Sequence, residues 1–222
     1  MTNPARETTD AVTGMLVSIR VGHPRVIDGD DPWVTSFFKT QVDGTVAVGT
    51  NNIEGDEQAD LSVHGGPDKA ICVYSADHFA GWSRLLGSDC GPGAFGENFS
   101  VSGMTENTVC LGDVYRIGTA VVQVSQPRGP CWKLGRRWGR LDLPRLVLKS
   151  GRTGWYFRVL TPGAVSAGQE LTLVERPCPS WSIARVNDVF YAPEGRRDPE
   201  ARRALAECAP LAATWRDALT RA

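Results

Sequence analysis

Histidine is scarce: there are three in 222 residues, and no two stand at a spacing that shares one face of a helix or strand. That excludes a metal site built from protein side chains alone in the patterns that hold zinc. The six cysteines, Cys72, Cys90, Cys110, Cys131, Cys178 and Cys208, include no CxxC pair. A chain of this length buries about 70% of its unfolded surface and needs no bridges to fold, so the cysteines fit a reducing compartment and the chain is read as cytoplasmic. No charge-free run approaches the roughly 18 residues that span a bilayer. The opening MTNPARETTDAVTG has no apolar core and is read as a disordered tail, residues 1–14, rather than a secretory leader. No internal repeat or low-complexity tract occurs. Net charge is −1, which removes any whole-chain electrostatic case for nucleic acid or an anionic membrane.

The charge is nevertheless unevenly placed. Residues 1–127 carry 7 basic and 16 acidic groups, whereas residues 128–158 carry 9 basic groups against Asp142 alone. Two readings of that basic segment stand side by side: a solvated arginine-rich helix, and a pocket for an anionic ligand.

What the sequence has in abundance is short Val- and Ile-rich runs separated by Gly, Pro, Asp and Asn. Residues 15–21, 44–49, 70–74, 98–103, 108–118, 119–126, 154–160 and 170–175 all read as strands, with Gly118-Thr119 as a tight hairpin. Many short strands and few helices predict a mainly β fold, a barrel or sandwich. Two helices interrupt it: Ser75 to Leu86, with Ser75 as N-cap, and Pro130 to Trp138. After the breaker-rich RPCPS the pattern turns helical. Ile183, Val186, Val189 and Phe190, then Leu205 and Cys208, then Leu211, Trp215 and Leu219 recur at helical spacing, and Asp198-Pro199 reads as a helix start. The chain thus divides into a β domain over 15–176 and three packed helices over 177–222.

Four places carry chemistry. In SQPRGPCWKLGRR (125–137), Cys131 falls at the start of a helix beside Arg128 and Lys133, all of which favour a thiolate; the alternative is a cysteine buried under Trp132. In DLSVHGGPDKAICVY (60–74), His64 closes a strand-like run before two glycines, as a site residue or as a cap of the turn. His23 and His78 read as surface residues, and Cys72 and Cys110 as small core residues. GPGAFGENF (91–99) offers Glu97 and Asn98 either to a ligand or to its own loop, and no GK[ST] follows to make it a phosphate loop. Lys39 in FFKTQVDG reads, by itself, as a surface lysine.

Taken in order from about Met15 to Val174, NIEGDEQADLSVHGGPDKAICVY, GAFGENFSVSGMTENTVCLGDVYRIGTAVVQVSQPRGPCWKL and GRTGWYFRVLTPGAVSAGQEL resemble the MOSC domain. WSIARVNDVFY and the helices after it resemble the small three-helix domain of the YiiM-like subfamily. The resemblance implies a MOSC-type β-barrel that binds the molybdenum cofactor (molybdopterin), with Cys131 as the protein ligand to molybdenum, a soft thiolate for a metal already held by dithiolene sulfurs. It further implies reduction of N-hydroxylated purines such as 6-hydroxylaminopurine, with Lys39, His64 and Cys131 lining the site. His64 would supply protons and Lys39 would hold substrate or stabilise negative charge. Arg128, Asn98 and Arg152 are the candidate cofactor-binding residues, and the basic segment a place for the pterin phosphate. No dinucleotide or iron–sulfur motif is read, so a separate flavoprotein donates the electrons. The alternative is a non-catalytic cofactor carrier or sulfur-transfer module. A third reading is a reactive thiol that works without metal.

Overall fold

The computed structural model describes residues 13–221, so most of the tail expected over 1–14 lies outside the described residues. The strands are β1 (Gly14–Val21), β2 (Arg25–Ile27), β3 (Trp33–Thr35), β4 (Thr40–Gln41), β5 (Thr45–Val48), β6 (Ile71–Ser75), β7 (Phe99–Ser102), β8 (Val114–Ile117), β9 (Ala120–Pro127), β10 (Trp155–Thr161), β11 (Gly163–Ser166) and β12 (Glu170–Glu175). The helices are α1 (Phe79–Leu86), α2 (Trp132–Trp138), α3 (Leu143–Ser150), α4 (Ile183–Tyr191), α5 (Pro193–Arg196), α6 (Pro199–Ala206) and α7 (Ala213–Thr220).

Seven strands close a barrel in the order β12-β8-β9-β10-β6-β7-β1, and β1 returns to β12 through Gly14 and Leu171. Closure removes the open edges that an eight-residue strand such as β1 would otherwise present. Among the described residues only β6 and β7 pair in parallel; β4 extends the far end of β1. Alternation puts Leu16, Val101, Val122, Trp155 and Leu171 inside, all fully buried. Strand β6 is buried at all five positions because helices cover its outer face. There Tyr74 stacks on Phe95 at 4.2 Å, and its hydroxyl accepts from the Trp82 indole and donates to the Arg152 carbonyl. At Gly118, φ is +54° and an added Cβ would meet the Ala164 carbonyl at 2.3 Å, so only glycine makes this hairpin.

Several expectations change. The strand expected over 108–118 pairs only over β8. The residues before it turn around Asp113, whose buried carboxylate accepts from the Cys110 amide, the Tyr115 hydroxyl and Arg176. The first helix starts at Phe79 after a 3-10 turn, and Ser75 gives no side-chain cap. Helix α3 and the short strands β2, β3, β4 and β11 have too few residues, or too polar a face, to announce themselves. His78 is not a surface residue: its ring lies 2.7 Å from Glu106, which also accepts from the Gly154 amide.

The C-terminal region holds the three expected helices as α4, α6 and α7, and Pro193 starts the additional one-turn α5 between the first two. Asp198 caps α6 through the Ala201 amide, as its Asp-Pro spelling predicts. Cys178 and Cys208 are joined as a disulfide, which corrects the reading of six reduced thiols and ties the linker to the end of α6. These helices pack on the barrel. Ile183 enters the barrel core, the Asn187 amide donates to Thr153 Oγ1, and Leu111 sits among Trp181, Val186 and Leu205.

Candidate functional site

One cleft of about 680 Å³, its open mouth included, gathers Lys39, His64, Asn98, Arg128 and Cys131. Four segments far apart in sequence bring these five residues together: the turn before β4, the loop 56–65, the residue before β7, and the stretch from the end of β9 to the entry of α2.

Lys39 is not the surface residue its segment suggests. Its side chain is 7% exposed and pairs with Asp56, 1% exposed, which also accepts from the Gly22 amide at 2.8 Å and from Gln58 at 3.2 Å. A buried charge needs such a partner. The acidic run GDEQAD gives no hint that Asp56 alone turns inward.

His64 ends a turn rather than a strand; its amide bonds the Asp60 carbonyl, and Gly65 and Gly66 follow at φ +79° and +84°. The ring is half-buried. Burial, then Lys133, Lys69 and Arg128, hold the imidazole below its usual range, with Asp60 opposing them. The imidazole is therefore neutral near pH 7, and an anion in the cleft would push its pKa back up.

Cys131 is the N-cap of α2, which begins at Trp132, two residues later than expected, and its own backbone is extended at φ −88° and ψ 152°. It is free and half-exposed. Trp132 does not bury it: that ring is exposed and packs 5.6 Å from Trp33. Two other cleft groups escaped the sequence reading, Cys72 and Tyr156. Cys72 is buried, as a core residue should be, yet it forms part of the cleft floor. Burial pushes both the Cys72 thiol and the Tyr156 phenol up, so both keep their protons at neutral pH.

Arg128 is buried and donates to the Phe95 carbonyl. Asn98 lines the cleft, but its amide is largely spent on the chain itself, accepting from the Cys72 amide and donating to the Arg20 carbonyl. Glu97 serves its own loop, accepting from Gly93, Phe95 and Ser100. The residues 91–96 do spell GxGxxG, but they lead from α1 towards β7 rather than from a strand into a helix, so no dinucleotide cradle forms. Arg152 is exposed and lies against Gly81 of α1, outside the cleft. The basic segment likewise splits. Arg136 pairs with Asp31, Arg140 with Asp142 and Arg158 with Asp68, leaving Arg128 and Lys133 to face the cleft.

An outer chamber shares His64, Cys131, Lys133 and Tyr156 with the inner cleft and is walled by Phe190, Tyr191 and Trp215 from α4 and α7. The C-terminal helices therefore shape the mouth of the site.

Among the described residues no group of three or more His, Cys, Asp or Glu is placed to hold a bare metal ion. The inner cleft offers one accessible thiol, several cations and a buried Ser36 hydroxyl with no partner. That donor set suits an anionic cofactor which brings most of the metal's ligands itself.

Residues 60–172 match the MOSC domain, and residues 181–221 match the YiiM-like, 3-alpha helix domain. YflK of Bacillus subtilis is 42% identical over 202 residues, covering 90% of each chain. A Gibberella moniliformis protein named "Reductase" is 34% identical over 90% of this chain, which spans 36% of that longer protein. The crystal structure of YiiM from Geobacillus stearothermophilus superposes with a TM-score of 0.81 at 40% identity, covering 94% of this chain and 98% of that one.

Proposed function

This chain belongs to the MOSC domain family, and on that premise we propose that it is a molybdenum-cofactor-dependent reductase of N-hydroxylated nucleobases or related compounds. The observation that carries the reading is the meeting of Cys131 and His64 at the junction of a cationic inner cleft and an aromatic outer chamber. A carrier needs room for the cofactor alone; a second chamber opening on the same thiol suits a substrate.

Cys131 would hold the metal, and Arg128 and Lys133 would neutralise the cofactor's anionic groups. When bound, the cofactor supplies two-electron removal of oxygen from nitrogen. The net reaction takes R–NH–OH, two electrons and two protons to R–NH2 and water. His64, which lines the same cleft as the thiol, would deliver a proton to the departing oxygen. Its depressed pKa makes it a poor donor in an empty cleft and a better one once anionic groups enter and raise that pKa. Lys39, fixed by Asp56, would hold the substrate or the charge that develops on it. The electrons come from a separate flavoprotein. The longer Gibberella relative, of which this chain spans 36%, carries the word reductase in its name, which favours a redox reading over a carrier.

The test is turnover. Protein produced in a host that makes the cofactor is supplied with a chemically reduced viologen dye and 6-hydroxylaminopurine. Conversion to adenine is expected. Molybdenum-loaded protein that turns over no N-hydroxylated compound would leave the carrier reading in its place.

A further inference from the structure

The C-terminal helices hold a second concave surface whose charge the chemistry above does not use. Arg196, Arg197, Arg202, Arg203 and Arg216 line one groove of about 1220 Å³, open solvent included, along the end of α5, α6 and α7. Among the described residues none of the five pairs with a carboxylate, whereas Arg136, Arg140, Arg158 and Arg176 each do. Glu207 is the one acidic residue among those described that lines the groove; Asp198 caps α6, Asp217 pairs with Arg221 at 3.6 Å, and Glu194 and Glu200 lie outside it. Three of the guanidinium groups are fixed by backbone carbonyls. Arg196 donates to Phe190 at 2.9 Å, Arg202 to Leu219 at 3.2 Å, and Arg216 to Cys208, Ala209 and Leu211. Satisfying carbonyls near helix ends accounts for those three. It does not account for Arg197 and Arg203, which are exposed on the same groove.

Helix α7 places this groove beside the chemistry. It turns Thr214, Trp215 and Ala218 to the outer chamber and Arg216, Leu219 and Thr220 to the groove. The two therefore lie on opposite sides of one helix, about 10–12 Å across with its side chains. The amino-terminal part of the chain has the opposite charge, with 16 acidic groups against 7 basic ones over residues 1–127. An acidic partner is drawn to the arginines and turned away from that part of the surface, which fixes its orientation as well as its approach. A nucleic acid is held by a cationic track that follows its backbone, whereas these five charges form one compact patch. Such a patch suits a cluster of carboxylates on a folded protein, which arginine forks grip two oxygens at a time. We infer that the arginine groove is the docking surface for an acidic protein, the one that delivers electrons to the site. As the donor's place this rests on the reductase reading; as a surface for an acidic protein it stands on the charges alone.

The probe is a flavodoxin, a small acidic protein that carries one flavin. Calorimetry on the cofactor-free full chain should show wild type binding it, and binding it less tightly as salt rises from about 50 to about 500 mM. Arg197→Glu/Arg203→Glu should fold and melt close to wild type, because both side chains are exposed. It should weaken flavodoxin by about 10-fold or more, while Arg197→Lys/Arg203→Lys, which keeps the charges, stays within about threefold. In loaded enzyme with 6-hydroxylaminopurine, Arg197→Glu/Arg203→Glu lowers the flavodoxin-driven rate by a similar factor. It leaves the rate with reduced viologen, a dye that needs no docking, within about twofold. Absence of salt-sensitive binding to wild type, or unchanged binding in folded Arg197→Glu/Arg203→Glu, would overturn the surface. So would an equal loss in Leu141→Glu, an exposed position on a separate groove beside Trp132. Tighter binding of a single-stranded oligonucleotide than of flavodoxin, lost in Arg197→Glu/Arg203→Glu, would overturn the choice of a protein partner. Flavodoxin binding that the charge reversal weakens, in loaded protein with no viologen-driven turnover, would uphold the surface and remove the reaction instead.

Discussion

Replacing Asp56 by Asn keeps the shape of the side chain and removes its charge. The Lys39–Asp56 pair is nearly dry, with side chains 7% and 1% exposed, so solvent screens it little. Asp56 also holds the Gly22 amide and Gln58, and its own carbonyl accepts from Asn52, so one carboxylate joins the end of β1 to the turn before β4 and the loop 52–58. Breaking a buried pair by removing one partner costs about 3–5 kcal/mol, mostly from the charge left unmatched. At roughly 2–4 °C per kcal/mol for a chain of this size, Asp56→Asn should melt on the order of 10 °C lower. Lys39→Met strands the opposite charge and should cost a similar amount. The double variant Lys39→Met/Asp56→Asn leaves no charge unmatched and should cost clearly less than the two singles together. Urea denaturation of the four proteins closes the cycle. Additivity within about 0.5 kcal/mol would refute the reasoning, because it would show that the two groups do not sense each other.

His64 takes up a proton below its ordinary pKa of about 6.5 in the folded chain, whereas the unfolded chain protonates it normally. Stability from this group is therefore complete above about pH 6.5 and declines as pH falls below it; melting temperature against pH should lose that part of its slope in His64→Gln. A chain ending at Glu175 uncovers Leu111 and removes Ile183 from the barrel core, so it should aggregate or melt well below the full chain by light scattering and calorimetry. Dithiothreitol should lower the melting temperature of wild type but not of Cys178→Ser, since the bridge closes a separation of 30 residues. Cys72→Ala should cost on the order of 1 kcal/mol in urea while the protein retains molybdenum, because that thiol is buried and protonated; loss of the metal would make Cys72 a ligand.

The barrel was legible because its signals are local. Short apolar runs bounded by turn residues mark β1, β6, β7, β9, β10 and β12, and Asp198-Pro199 marks the start of α6. Within the site, Cys131, His64 and Arg128 could be read because each sits in a segment of unusual spelling. Asp56, Cys72 and Tyr156 could not. Their roles come from which way a side chain turns once strands from separate parts of the chain are paired, and a single sequence does not carry that. Arg152 failed for the opposite reason: its charge suggested the cleft, but the turn before β10 carries it onto α1. The disulfide was missed because Cys178 and Cys208 meet only through the packing of the C-terminal helices.

The most direct test of the account is molybdenum content in wild type and Cys131→Ala, both produced in a host that makes the cofactor. Cys131 is half-exposed and free, so its loss should leave the melting temperature within about 2 °C, as for most surface changes in a chain of this size. Wild type should carry molybdenum approaching one atom per chain, and the folded Cys131→Ala variant should carry essentially none. Equal molybdenum in the two, or none in a wild type that folds in a cofactor-replete cell, would contradict the assignment of this thiol as the metal's protein ligand.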